Sequence, residues 1–268
     1  MRSPTGPSTS ATPAYVNVPV DELLSRGFAA ERRCRINPRQ AADKPVAPGR
    51  ADGEYRRCRR DSGPATAAPD TTGPETTHLV AADRWGNVAS FTLTIEQTGG
   101  SGITVPGRGF LLNNELTDFS LEYEAGDPNR IAGGKRPRSS MSPTIVMRGD
   151  RPVLAVGSPG GSTIITTVLQ TLVNRYDFGM SLPRSVAAPR ASQRNEPTTA
   201  ERAFIDRWGR VLKRRYGQEL TLSGEAGTSA ADIGAVAAVQ IGRLGRFVAV
   251  AEPRRRGGGS AMVVRPGR

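Results

Sequence analysis

Acid–base residues are scarce in this chain: its 268 residues include a single histidine, His78. A Ser-His-Asp triad or a histidine-based metal site would have to be built around that one imidazole. The two cysteines, Cys34 and Cys58, lie in the polar first quarter and match no metal-ligand spacing; whether they pair is left open. Aromatic residues make up only 5% and do not interleave with the arginines, so the stacking platform of a nucleic-acid binder is absent. No apolar run approaches 18 residues, which excludes a transmembrane helix, and the first 30 residues lack the basic-then-apolar order of a secretory signal.

Acidic residues are also in short supply, 25 against 37 basic, for a net charge of +12. Over half of that excess falls in residues 193–268, mainly in LKRRYG and EPRRRGGGSAM, and is read as a solvated arginine-rich surface. No nucleic-acid partner and no membrane span are expected.

What is present is enough for a core: 37% of residues are hydrophobic. Residues 1–75 are rich in Pro, Gly, Ala and Arg. One helix is expected in PVDELLSRGFAAERRCRI, capped by Asp21, and residues 44–75 have the composition of a linker. Dense structure begins at Thr76. THLVAAD and VASFTLTI read as a hairpin around RWGN, where Gly86 and Asn87 tolerate positive φ. PTIVMR and PVLAVGS form a second strand pair, TIITTVLQTLVNRY a helix, AFIDRWGRVLKRRYG another, and GAVAAVQI and RFVAVAEP two late strands. Strands paired as hairpins with helices grouped between them predict an α+β fold, an antiparallel sheet packed on helices.

Several short stretches carry chemistry, each with an ordinary alternative. VGSPGGST ends a strand in glycines and opens a helix, leaving the Gly160 and Gly161 amides free to hold an oxyanion, or making a plain strand-to-helix turn. Ser139 and Ser140 in KRPRSSMSPT offer two donors for a carboxylate, or serve a turn. Glu115 and Asp118 in LLNNELTDF, three apart, suit a shared ammonium group, or simple solvation. PETTHLVAAD is the most suggestive. A threonine lacks a neighbouring base, but an N-terminal threonine has its own α-amine, with a pKa near 8, to take the hydroxyl proton. That requires cleavage of the bond after Glu75.

Taken in order, TTHLVAADRWGNV, LTIEQTGGSGI, GFLLNNELTDFS, KRPRSSMSPTIV, GSPGGSTIITTVLQ and AVAEPRRRGGGSAM resemble the catalytic part of the γ-glutamyltranspeptidases, N-terminal-nucleophile hydrolases of αββα architecture. The resemblance runs from Thr76 to the C-terminus, and residues 14–75 are similar to the end of the family's large subunit. It divides the chain into 1–75, a large-subunit tail and linker, and 76–268, the small-subunit catalytic region, about half of the family fold.

By that resemblance Thr76 is the nucleophile, Glu75–Thr76 the self-cleaved bond, and Thr94 the residue holding the nucleophile. Gly160 and Gly161 form the oxyanion hole. Glu115 and Asp118, joined by Glu96 where some members have Asn, bind the substrate α-ammonium, and Ser139 and Ser140 its α-carboxylate. Thr77 and His78 receive no chemical role. The implied partners are a γ-glutamyl compound such as glutathione, an amino-acid or water acceptor, and a large-subunit half carrying an arginine for the substrate carboxylate. No cofactor and no metal are implied, and family members are mostly periplasmic or extracellular. Two alternatives remain: an inactive, N-terminally truncated remnant, and a related amidase resembling the cephalosporin acylases.

Overall fold

The computed structural model describes residues 13–55, 58, 75–122, 127–224, 232–242 and 246–264. The expected linker at 44–75 lies partly outside the described residues. Within the N-terminal part, the helix expected over 19–36 is two helices, α1 (Val20–Leu23) and α2 (Arg26–Arg33). The break has a local cause: Ser25 is extended, and its Oγ accepts the Phe28 amide at 3.1 Å, which starts a new helix there. Asp21 caps neither helix and sits in the first turn of α1. Cys34 and Cys58 are joined in a disulfide spanning 24 residues, a constraint on the unfolded chain of about 3 kcal/mol.

The strands follow as β1 (Glu75–Ala82), β2 (Val88–Glu96), β3 (Thr144–Arg148), β4 (Arg151–Gly157), β5 (Ala191–Ser192), β6 (Thr199–Ala200), β7 (Thr221–Leu222), β8 (Ala237–Ile241) and β9 (Phe247–Ala251). β1 and β2 form an antiparallel hairpin. Its turn is organised by Asp83, whose carboxylate accepts the amides of Trp85 and Asn87 at 2.9 Å, with Gly86 at φ +95°. β3-β4-β8-β9 make an antiparallel four-stranded sheet, and β5-β6-β7 a small separate one in which β6 and β7 run parallel.

α3 (Ile164–Tyr176) and α4 (Leu182–Ala187) cover one face of the four-stranded sheet. Leu154, Val156, Ile164, Val168, Leu182, Val186, Val236 and Ala238 fuse sheet and helices into the core. The hairpin packs on the opposite face. It turns His78, Ser90 and Thr92 inward and leaves Leu79, Phe91 and Leu93 exposed on its outer side. The architecture is therefore α+β, in layers of hairpin, sheet and helices, as the strand pairing predicts. The expected late helix runs from α5 (Arg202–Phe204) through a π-helical turn, Ile205–Gly209, into α6 (Arg210–Tyr216), and stops at left-handed Gly217. Among the described residues no helix is long and apolar enough to cross a membrane.

One feature escaped the sequence: a buried four-residue ion network that binds the small elements to the sheet. Arg190 donates to Glu252 at 3.0 Å and to the carbonyls of Val186 and Ile233 at 2.6 and 2.7 Å. Arg255 donates to Glu252 at 2.9 Å, to both oxygens of Glu201, and to the Ala188 carbonyl at 2.8 Å. Glu201 also accepts the amides of Arg190 and Ile233. Two positive and two negative charges thus cancel, with α4's last carbonyls satisfied in the same cluster. Burial, with Arg255 close by, pulls Arg190 down to about 10, so it stays charged at neutral pH.

Removing one member strands the others. Glu252→Ala is expected to lower the unfolding free energy by about 3–5 kcal/mol in urea denaturation. Glu219→Ala, in the exposed Lys213–Glu219 pair, should cost less than about 1 kcal/mol.

Candidate active site

Thr76 is the second residue of β1 and points between the two sheets, paired across the hairpin with Thr94. The register slips here: Glu75 pairs with Glu96 and Thr76 with Thr94, so Ile95 is an extra residue in β2, and Glu96 takes a positive φ of +74°. The bulge turns the end of β2 toward Thr76. The Thr76 hydroxyl donates to Thr94 Oγ at 3.1 Å, and Thr94 donates its own proton to the Glu75 carbonyl at 2.9 Å while accepting the Glu96 amide at 2.8 Å. One hydroxyl therefore holds both the Thr76 oxygen and the carbonyl of the bond that precedes it.

Beyond the bulge sits a trio of carboxylates. Glu115 and Asp118 occupy the ends of a single 3-10 turn, Glu115–Asp118, in which residues three apart share one side. Asn114 docks that turn on the end of β2: its amide donates to the Ile95 carbonyl, and its side chain exchanges two 3.0 Å bonds with Gln97. Burial, then the nearby charges of Asp118 and Glu96, push Glu115 up to about 7. Burial and Asp118 raise Glu96 as well. One oxygen of each, Glu96 Oε2 and Glu115 Oε2, is buried without a hydrogen-bond partner among the described residues. Among the described residues no trio of acidic, His or Cys side chains converges as metal ligands do. Orphaned carboxylate oxygens that crowd one another call for a cation with hydrogens to donate.

The remaining predicted residues lie on neighbouring loops. Ser139 accepts the Met141 amide at 3.3 Å and Ser142 donates to the Ser140 carbonyl, and among the described residues no hydrogen bond joins Ser139 or Ser140 to Thr76 or Thr94. Their loop is tied to the carboxylates through Asn129, which donates to the Asp118 carbonyl at 2.8 Å and accepts the Arg138 amide at 2.9 Å. Gly160 and Gly161 follow β4 at φ +137° and +53° and open the 3-10 turn into α3. A Cβ on Gly160 would lie 2.8 Å from Thr163 Oγ1 and 3.1 Å from the Gly234 backbone. Neither glycine amide donates to an acceptor among the described residues. On the flank away from the carboxylates a cleft of about 1440 Å³ reaches Thr76, bordered by His78, Pro159, Ala235, Arg202 and Arg256.

The sequence reading missed Asn114 and Asn129. Both asparagines sit in loop sequence that looks like solvation, and only the fold shows them cross-linking separate site segments. His78, given no chemical role from the sequence, is buried on the inner hairpin face two residues from Thr76.

Residues 8–262 match the family model described as Gamma-glutamyltranspeptidase. Among curated proteins, the glutathione hydrolase proenzyme of Bacillus subtilis (strain 168) is 39% identical over 251 residues, 93% of this chain and 41% of that protein. The chain thus spans about two fifths of the length of this relative. Among solved structures, a gamma-glutamyltranspeptidase from Pseudomonas nitroreducens superposes with a TM-score of 0.59 at 33% identity, covering 70% of this chain and 100% of that one. A cephalosporin acylase from Bacillus halodurans superposes over 96% of this chain and 42% of its own at a TM-score of 0.75; its 24% identity speaks for the fold alone. With the family model spanning nearly the whole chain, the protein belongs to the gamma-glutamyltranspeptidase family.

Proposed function

We propose that the protein transfers or hydrolyses γ-glutamyl groups, from glutathione and related compounds, through Thr76 freed by cleavage of the Glu75–Thr76 bond. The observation that carries this reading is the pair of orphaned carboxylate oxygens on Glu96 and Glu115, set beside Asp118 and the Thr76–Thr94 hydroxyl pair. A substrate that places an α-ammonium there, and an amide carbonyl one glutamyl side chain away, satisfies the cluster. An apolar acyl group would leave those oxygens buried and unpaired, which disfavours an acylase with a non-amino-acid substrate.

In self-cleavage Thr76 Oγ attacks the Glu75 carbonyl carbon, whose oxygen the Thr94 hydroxyl already holds. The amide nitrogen takes a proton and becomes the Thr76 α-amine, and water hydrolyses the resulting ester to free the Glu75 carboxylate. In turnover the new α-amine takes the Thr76 hydroxyl proton as Oγ attacks the γ-amide carbonyl. The Gly160 and Gly161 amides stabilise the oxyanion by a few kcal/mol, and the leaving amine accepts the proton. Water then yields glutamate, or an amino acid or peptide yields a new γ-glutamyl amide. Ser139 and Ser140 are assigned the substrate α-carboxylate. The Pseudomonas nitroreducens chain, matched over its whole length by 70% of this one, supports a division near Thr76.

On a denaturing gel the purified protein is expected to split between residues 75 and 76, Thr76→Ala to stay whole, and Thr94→Val to split about 10²–10³-fold more slowly. An uncut wild-type band with no γ-glutamyl-anilide hydrolysis would identify an inactive remnant instead.

Glu115 sets a pH limb. Because its carboxyl is raised to about 7, it is charged above that pH and binds an ammonium, and it is protonated below, where binding is lost. Below about 7, kcat/KM is therefore expected to fall by up to tenfold per pH unit more than protonation of the Thr76 α-amine alone dictates. Glu115→Gln should remove that added steepness, leaving the limb of the α-amine, and raise KM by about 10- to 100-fold.

A further inference from the structure

We propose that His78 is a positioning residue, whose neutral imidazole lies against Gly157 and fixes the nucleophile strand relative to the loop that carries Gly160 and Gly161. The inference rests on the acyl-transfer reading for its purpose, and on geometry for its content.

Gly157 is the last residue of β4, three before Gly160. A Cβ built there would lie 2.2 Å from His78 Cε1 and 2.5 Å from each ring nitrogen. Three ring atoms at nearly one distance mean that the ring lies flat over the glycine, in the space a side chain would occupy. The loop behind it is stiff: buried Ser158 Oγ donates to the buried Pro159 carbonyl at 2.6 Å and accepts the half-buried Ala235 amide at 2.9 Å. On its own strand His78 shares the inner face with Thr76, about 7 Å along.

The protons around the ring can be counted. Ser90 donates its only proton to the Val156 carbonyl at 3.3 Å, so toward His78 Nε2, at 3.5 Å, it can only accept. Nε2 therefore carries the hydrogen, and Nδ1 accepts from Thr92 Oγ1 at 2.7 Å. With the Ser90 proton on Val156, the neutral Nε2–H tautomer satisfies both neighbours. Thr92 lies two residues from Thr94 on the same face of β2, so one ring grips both strands of the threonine pair and the strand leading to the oxyanion loop. Burial alone holds the imidazole down at about 4, with no charged group contributing, so the ring is neutral at neutral pH. Its work is distance: oxyanion donors act within a window about 0.4 Å wide, and a misplacement near 1 Å costs about 10²-fold.

Because the chain has one histidine, long-range 1H–15N spectra of the full protein show a single imidazole. The expected result is an Nε2–H tautomer that titrates near 4, with Thr92→Val shifting the tautomer balance. In kinetics, His78→Ala and Gly157→Ala should each lower kcat about 10- to 100-fold with donor KM within threefold of wild type. The double variant should regain at least threefold over Gly157→Ala, since the new methyl occupies the vacated space. Thr92→Val, which keeps the packing shape, should show a smaller loss in kcat alone. An imidazole titrating near 6.5, or full kcat in His78→Ala, would overturn the proposal. If the wild type proves inactive on γ-glutamyl donors, the functional reading falls, and the imidazole spectra alone decide whether His78 is seated as described.

Discussion

The two sheets approach closely where Gly157, hydroxyl side chains and one imidazole lie between them. Gly157 offers no Cβ, so the ring of His78 fits where a side chain would stand, and Ser90 reaches the β4 backbone directly. A larger residue at 157 would force the hairpin outward. The helical side of the same sheet follows opposite rules: Leu, Val and Ile interdigitate with α3 and α4, and burial supplies the stability. One face of the sheet therefore holds the fold together, and the other holds the site in register.

Two clusters of charge show the same division. The Arg190–Glu252–Arg255–Glu201 network is balanced and saturated with hydrogen bonds, and it also collects the carbonyls that α4 leaves unpaired. Such a cluster costs desolvation but leaves nothing unmet. Glu96, Glu115 and Asp118 are the reverse: three like charges, two orphaned oxygens, and raised carboxyl pKa values. A structure tolerates that kind of imbalance where a ligand completes it. The bulge at Ile95 is the backbone device that brings this cluster to the Thr76–Thr94 pair.

Much of this was legible in the chain. Alternating strands, a Gly-rich strand end and the turn at Gly86 have local causes, so β1 to β4, α3 and the late strands appear where periodicity puts them. The helix over 19–36 failed because one residue, Ser25, can cap inside a good helical pattern. α4 and the two-residue strands β5 to β7 are too short to carry a period. The asparagines that dock the Glu115 turn and the Ser139 loop carry no signal of their own, since their partners lie in other segments.

The sequence by itself determined the family, the α+β class and the residue types available for acyl transfer, because those depend on local pattern and on motifs in order. Only the tertiary structure decided which polar groups are satisfied. It paired Glu201 and Glu252 with arginines and left Glu96 and Glu115 short of partners. It also placed the single histidine over a glycine 79 positions away. Burial, register and proton counting are properties of neighbours in space, and a linear chain does not state who those neighbours are.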